Sequence, residues 1–152
     1  MALDLNTQVP RSPFETLEGY AWLPRLIDKA RAFYAGTHGD YTPYPCPGDR
    51  QFLSYFGLDA GSLGDLIKSG ASDEAIADRV KRTAKRTAAE TKAFGDAFLV
   101  PSPNPLLRFA LGLFIKRSIA RVKKARPGTD ASGIDTMAKV LCLEEGHPIP
   151  RA

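Results

Sequence analysis

Residues 22–36 read WLPRLIDKARAFYAG, and the spacing of their apolar side chains decides the fold class of the whole chain. Leu23, Leu26, Ile27, Ala30, Phe33 and Tyr34 recur at the i, i+3, i+4, i+7 positions of one stripe, which predicts an amphipathic helix with that stripe inward. Pro24 suits the first turn, where its missing N–H costs nothing, and Gly36 suits a left-handed stop. Across the helical wheel lie Arg25, Asp28, Lys29 and Arg31, which are expected to face the surface or a neighbouring cleft.

Working outward, THGDYTPYPCPG (37–48) holds three prolines and two glycines and is therefore a loop, one that carries His38, Asp40, Tyr41 and Tyr44. Asp49 is read as the cap of a short helix bearing Phe52, Leu53 and Phe56 and ending at Gly57; a second carries Leu63, Leu66 and Ile67 and ends at Gly70. Ser72, followed by Asp73 and Glu74, opens a helix that buries Ile76, Ala77, Val80 and Ala84. Thr87 and Glu90 have the capping-box spacing and restart a helix expected to bury Ala93, Phe94, Phe98 and Leu99.

PSPNP at 101–105 is the best internal boundary, because its prolines remove donors and restrict the residues before them. Beyond it LLRFALGLFIKRSIARVKKA reads as a long helix, apolar nearly all round in its first half and basic in its second. The apolar half is most simply the central helix of the core. A last helix starts at Asp130 or Ser132, turns Ile134, Met137, Ala138 and Leu141 inward and stops at Gly146 before an extended tail. No stretch sustains an alternation of apolar and polar residues. The expected fold is all-α: a compact bundle of about six helices with an irregular N-terminal arm and a Pro-rich connection near 101–105. It forms one domain over 1–152, with 101–152 as a C-terminal helical pair packed on the rest.

The chain has 152 residues, 43% apolar and 25% charged, an ordinary globular composition. A chain of this length buries roughly 70% of its unfolded surface and builds a core without metals or disulfides. Uninterrupted apolar stretches fall far below the roughly 20 residues of a membrane span. MALDLNTQVPRSP has acid and proline where a signal peptide needs basic and apolar residues, so a cytoplasmic protein is expected. Cys46 and Cys142 belong to no CxxC pattern and are read as free thiols, a long-range bond between them being the alternative.

Charge is unevenly placed. Residues 1–78 carry 6 basic and 11 acidic side chains, 79–126 carry 13 and 2, and 127–152 carry 2 and 4, for a net of +4. The basic middle either attracts an anionic partner or lies beside acidic parts of the same fold, and the second reading is preferred. It has no arginine-glycine repeat, RNP-like motif or zinc-finger spacing to make a nucleic-acid module. For a membrane-surface role the helix after PSPNP has basic and apolar residues in suitable proportion, but PSPNP and the following RPG read as ordinary connections inside a bundle.

The polar face of the first helix offers an anion site. Asp28 lies three residues from both Arg25 and Arg31 and can orient either guanidinium, while Lys29 adds a compact donor. The bland alternative is a solvated face of weak ion pairs. The following loop supplies His38 as a titratable base, Asp40 to orient it, and the phenols of Tyr41 and Tyr44; against this, such residues commonly form turns and lids over a core. The paired carboxylates Asp73–Glu74 and Glu144–Glu145 sit beside helix ends, where dipole compensation explains them. No nucleophile elbow, P-loop or dinucleotide fingerprint is present, two distant histidines make a poor metal set, and neither metal nor cofactor is implied.

From Trp22 to Tyr41 the sequence resembles a bacterial domain-of-unknown-function family of small proteins, whose signature is an LPRLIDKAR helix followed by a Gly and a Tyr-containing loop. DRQFLSYFGLD (49–59) and SDEAI (72–76) are similar to further positions of that family, so that the likeness spans roughly residues 10–100. IDTMAKVLCLEEGHP is similar to the ending of some members, which have Trp where Met137 stands and Arg where His147 stands. The resemblance implies a compact, mostly helical, cytosolic protein and carries over no functional residue.

Three functions compete. The first is a helical domain that binds a small anionic ligand or an acidic partner surface through Arg25, Asp28, Lys29, Arg31, Tyr41 and Tyr44, without turnover. The second is a small enzyme in which His38 or Asp40 moves a proton while Arg25 and Lys29 hold substrate. A nucleic-acid accessory protein using residues 79–126 comes last.

Overall fold

The structure, a computed structural model, describes residues 2–151. Among these the chain runs through a hairpin, β1 (Thr16–Leu17) and β2 (Tyr20–Ala21), then α1 (Leu23–Ala35), α2 (Pro47–Phe56), α3 (Ala60–Lys68), α4 (Asp73–Thr83), α5 (Ala88–Asp96), α6 (Pro105–Ala125) and α7 (Met137–Glu145). The fold is thus mostly helical, with seven helices among the described residues, and is not strictly all-α. Thr16 pairs with Ala21 and Leu17 with Tyr20 around a turn in which Glu18 and Gly19 both have positive φ, 51° and 84°. Such a turn matches the right-handed twist of a hairpin. Strands of two residues are too short to show an alternating pattern, which is why periodicity missed them.

Local signals place most helix ends where expected. Gly36 closes α1 at φ 74°, donating its N–H to Ala32 and Phe33 carbonyls. Ser72 accepts the Ala75 N–H, and Thr87 accepts the Glu90 N–H while the Glu90 carboxylate accepts the Thr87 N–H at 2.7 Å. Three expectations are corrected. Helix α2 begins two residues before Asp49, whose carboxylate sits in the first turn and accepts the Cys46 N–H at 2.9 Å. Helix α7 starts only at Met137, from a Thr136 cap, because Asp130 accepts the Ser132 N–H in a turn of its own. In α5 it is Thr91 and Phe94 that are buried, while Ala93 is exposed.

The main core forms around α1. Every residue from Ala21 to Ala30 is buried, so α1 and not α6 is the central helix. Its Leu23, Leu26, Ile27 and Ala30 stripe meets Phe52, Phe56, Leu63, Ile67, Ile76, Val80 and Phe94 from α2 to α5. Tyr55, Phe56, Phe52 and Phe94 interlock with ring centroids 4.8–5.8 Å apart. Gly48 and Gly64 are close-approach positions, where an added Cβ would meet the Trp22 indole and the Tyr34 hydroxyl.

A second, smaller core lies between α6 and α7, built from Ile115, Val122, Ile134, Val140 and Leu143. From α6 it takes Leu111, Ile115, Ile119 and Val122 on one side; Leu106 and Phe109, read from sequence as core, are 77% and 68% exposed. Cys46 and Cys142 are free and buried. Among the described residues no helix is long and apolar enough to cross a membrane.

Candidate functional site

The charged side of α1 is buried, and this overturns the expectation that Arg25, Asp28 and Lys29 face solvent or a cleft. Each cation meets a carboxylate from a distant part of the chain. Arg25, 2% exposed, donates in a bidentate pair to both carboxylate oxygens of Glu145 at 2.7 and 2.6 Å and to the Arg11 carbonyl at 3.2 Å. Asp28 accepts the backbone N–H and Nε of Arg11 at 2.9 Å and its second guanidinium nitrogen at 2.8 Å. The Arg11 guanidinium also reaches Asp73 at 2.7 Å, and Asp73 pairs with Arg31 at 2.7 Å, which makes an alternating chain Asp28–Arg11–Asp73–Arg31. Lys29 lies 3.7 Å from Asp49, a fully buried carboxylate that also accepts the Trp22 indole N–H at 2.9 Å.

The loop residues separate. Tyr41 lies beside Glu145, and burial together with that carboxylate pushes its phenol up to about 12. Tyr44 is a lid over the core: its hydroxyl donates to the Ala60 carbonyl at 3.0 Å, and burial pushes its pKa up. His38 packs edge-on against Phe33, with its Nδ1 buried and unpartnered, while Asp40 is exposed. Among the described residues no hydrogen bond joins His38 to Asp40. His147 Nε2 lies 2.8 Å from the Pro10 carbonyl oxygen and 3.4 Å from Glu145. Among the described residues no group of three or more His, Cys, Asp or Glu is placed to hold a metal ion.

Sequence reasoning missed the partners Arg11, Asp49, Asp73 and Glu145. One of them left a signal. Dipole compensation does not explain Glu144 and Glu145 after all: Glu145 ends α7, and a carboxylate at a helix C-terminus opposes the dipole. An acid at the wrong end asks for a cation, and Arg25 supplies it. Asp73 is held below its ordinary pKa: burial works against ionisation, but Arg11 and Arg31 outweigh it. With the folded pKa below the unfolded one, the stability this carboxylate contributes is complete above the unfolded value of about 4 and is lost as pH falls through the folded value. Asp73→Asn is therefore expected to flatten the fall in stability between about pH 5 and pH 2, measured by urea unfolding; wild-type and variant curves that run parallel remove this role.

The open concavity lies elsewhere. A cleft of about 640 Å³ separates the hairpin from α4 and α5, within the range of roughly 300–1,000 Å³ usual for ligand sites. Phe14, Tyr20, Ala21 and Leu99 give it apolar walls, and Gly95 lets α5 approach β2, since a Cβ there would sit 3.0 Å from that of Ala21. Lys81, Arg86 and Lys92 line it together with two carboxylates, Glu18 and Asp96. Lys92 is committed to Asp96 at 2.5 Å, and Arg86 to Glu90 and the Tyr55 carbonyl. Lys81 is exposed and, among the described residues, pairs with no carboxylate. A second cleft of about 520 Å³ is lined by Arg31, Tyr34 and Lys68, and Arg31 is the one residue of the predicted anion site that reaches either cleft.

The family described as Domain of unknown function (DUF5069) has a sequence model that matches residues 7–146. That match extends beyond the 10–100 region of resemblance and takes in α6 and α7. No curated protein matches the chain.

Proposed function

The chain belongs to the DUF5069 family, and from that membership and the geometry above we propose that it binds a small anionic ligand with an apolar body in the cleft between the hairpin and α4–α5. The observation that carries this reading is Lys81, an uncommitted ammonium on the rim of an apolar-walled concavity whose other cations are already paired. The hairpin and α4–α5 residues that line the cleft fall within the family-matched residues, and Pro150 lies beyond them. Arg25, Asp28, Lys29 and Arg31 then serve the site indirectly, as the paired interior on which the hairpin and α4 rest. In the same reading LPRLIDKAR is the family signature, its charges set by the need to stay paired inside the protein. The chain works in a bacterial cytoplasm, where both of its free cysteines stay reduced.

A thermal-shift screen of aliphatic and aromatic carboxylates and phosphate monoesters tests this, because a ligand at a hundred times its Kd adds about 2.7 kcal/mol to native-state stability. Lys81→Glu is expected to weaken binding by about ten-fold or more while leaving the midpoint of the free protein unchanged. A screen in which no anion raises the midpoint, or a K81E variant that binds as the wild type does, overturns the proposal.

A further inference from the structure

In the N-terminal half of α6 Leu111 packs on the core shared with α7, and the rest is an apolar surface exposed among the described residues. Leu106, Phe109 and Leu113 project opposite Ile115 and Val122, the residues that pack on α7, while Leu107 and Phe114 lie on a flank about 90° away. All five are exposed. Beyond them the same outer side turns basic with Lys116, Arg117, Arg121 and Lys124, and no acidic residue occurs between Asp96 and Asp130. The start of this helix also needs no water. Pro105 has no N–H, the Leu106 and Leu107 amides donate to the Asn104 side chain at 3.0 and 3.2 Å, and the Arg108 amide donates to the Asn104 carbonyl at 2.9 Å. Asn104 in turn donates its own N–H to the Ser102 hydroxyl at 3.2 Å.

From these observations we propose that α6 is a peripheral membrane contact: Leu106, Leu107, Phe109, Leu113 and Phe114 insert into the interfacial layer of an anionic bilayer, and Arg108, Lys116, Arg117, Arg121 and Lys124 meet the lipid phosphates. Three features favour lipid. The exposed apolar surface runs around more than one side of the helix, which suits a continuous medium, whereas a partner helix covers one side. A helix end whose first amides are satisfied internally enters a layer without donors or acceptors at low cost. The basic collar has no carboxylate within its segment to answer it, so it complements an anionic surface and not a second copy of itself. Ten residues of helix extend about 15 Å, enough for one leaflet and too short to span. The site is separate from the cleft, and neither proposal depends on the other.

Flotation of the full chain with phosphatidylcholine vesicles, and with vesicles also containing phosphatidylglycerol, tests the proposal. The wild type is expected to float with the anionic vesicles and to partition about ten-fold or more less onto neutral ones, with binding weakened by added salt. Phe109→Ser with Leu113→Ser, both on an exposed face, is expected to keep the wild-type circular dichroism and midpoint and to lose about ten-fold or more in partitioning. Lys116→Glu with Arg117→Glu gives a second, independent loss. No flotation with either vesicle, or equal flotation of wild type and both variants, overturns the proposal. So does a dimer in sedimentation equilibrium that the Phe109 and Leu113 changes split while vesicles stay bare, since the face then belongs to a second copy.

Discussion

Glu145→Ala is expected to lower unfolding free energy by about 3–5 kcal/mol, the cost of leaving one charge of a buried pair without its partner. Arg25 is 2% exposed, and its guanidinium has nowhere to find water once the carboxylate is gone. A loss of that size is a large share of the roughly 5–15 kcal/mol that holds a domain folded. Removing both charges is a different matter. Arg25→Met with Glu145→Leu replaces the pair by apolar groups of similar bulk and is expected to restore most of the lost stability, because neither charge then has to be desolvated. Urea unfolding of the three variants, with the slope m held against the wild type, separates the cases. A Glu145→Ala variant within about 0.5 kcal/mol of wild type would show that the pair is solvated, and α7 would then need another reason to stay on α1. The same variant is expected to release α7 in hydrogen exchange before the core around α1 opens, since Glu145 is the last residue of that helix.

The second large effect is at Asp49, whose carboxylate is fully buried and joins three groups: the Trp22 indole N–H, the Cys46 N–H and the Lys29 ammonium. Asp49→Ala strands two donors and one cation in the interior and is expected to cost about 3–5 kcal/mol or to prevent folding. Asp49→Asn keeps the volume and one acceptor oxygen but leaves Lys29 without a counter-charge, so it falls between the two. Trp22 makes the measurement direct. It is the one tryptophan of the chain, its backbone sits at φ 73° at the entrance to α1, and its ring packs on Gly48. Loss of the indole hydrogen bond is expected to shift its fluorescence at denaturant concentrations where the fold persists. An Asp49→Ala protein with wild-type stability and emission would remove Asp49 from this role.

These expectations bear on what a sequence reveals. The Leu23, Leu26, Ile27, Ala30 stripe, the stop at Gly36 and the caps at Ser72 and Thr87 were legible, because each depends on residues within four positions of one another. The fate of the other face of α1 was not. Whether Arg25 and Lys29 are solvated or buried turns on Glu145 and Asp49, which lie 120 and 20 positions away. No periodicity encodes such pairings. Helix α6 errs in the opposite sense: LLRFALGLF has a core composition, yet α1 already holds the centre and the core shared with α7 takes from α6 Leu111, Ile115, Ile119 and Val122. The candidate ligand site was hidden for a similar reason. In the sequence Lys81 is one of the 13 basic residues of the stretch 79–126, and only the approach of Gly95 to Ala21 gives it a concavity to border.

Local chemistry in the chain was enough to determine where helices begin and end and that a helical protein would form, since backbone donors and caps are settled among near neighbours. Which helix occupies the middle, which charges are taken out of water and which apolar face is left in it were decided only in three dimensions. Burial depends on what the rest of the chain brings to each side of a helix, and a charged face becomes an interior face as soon as opposite charges from far along the sequence arrive to pair with it.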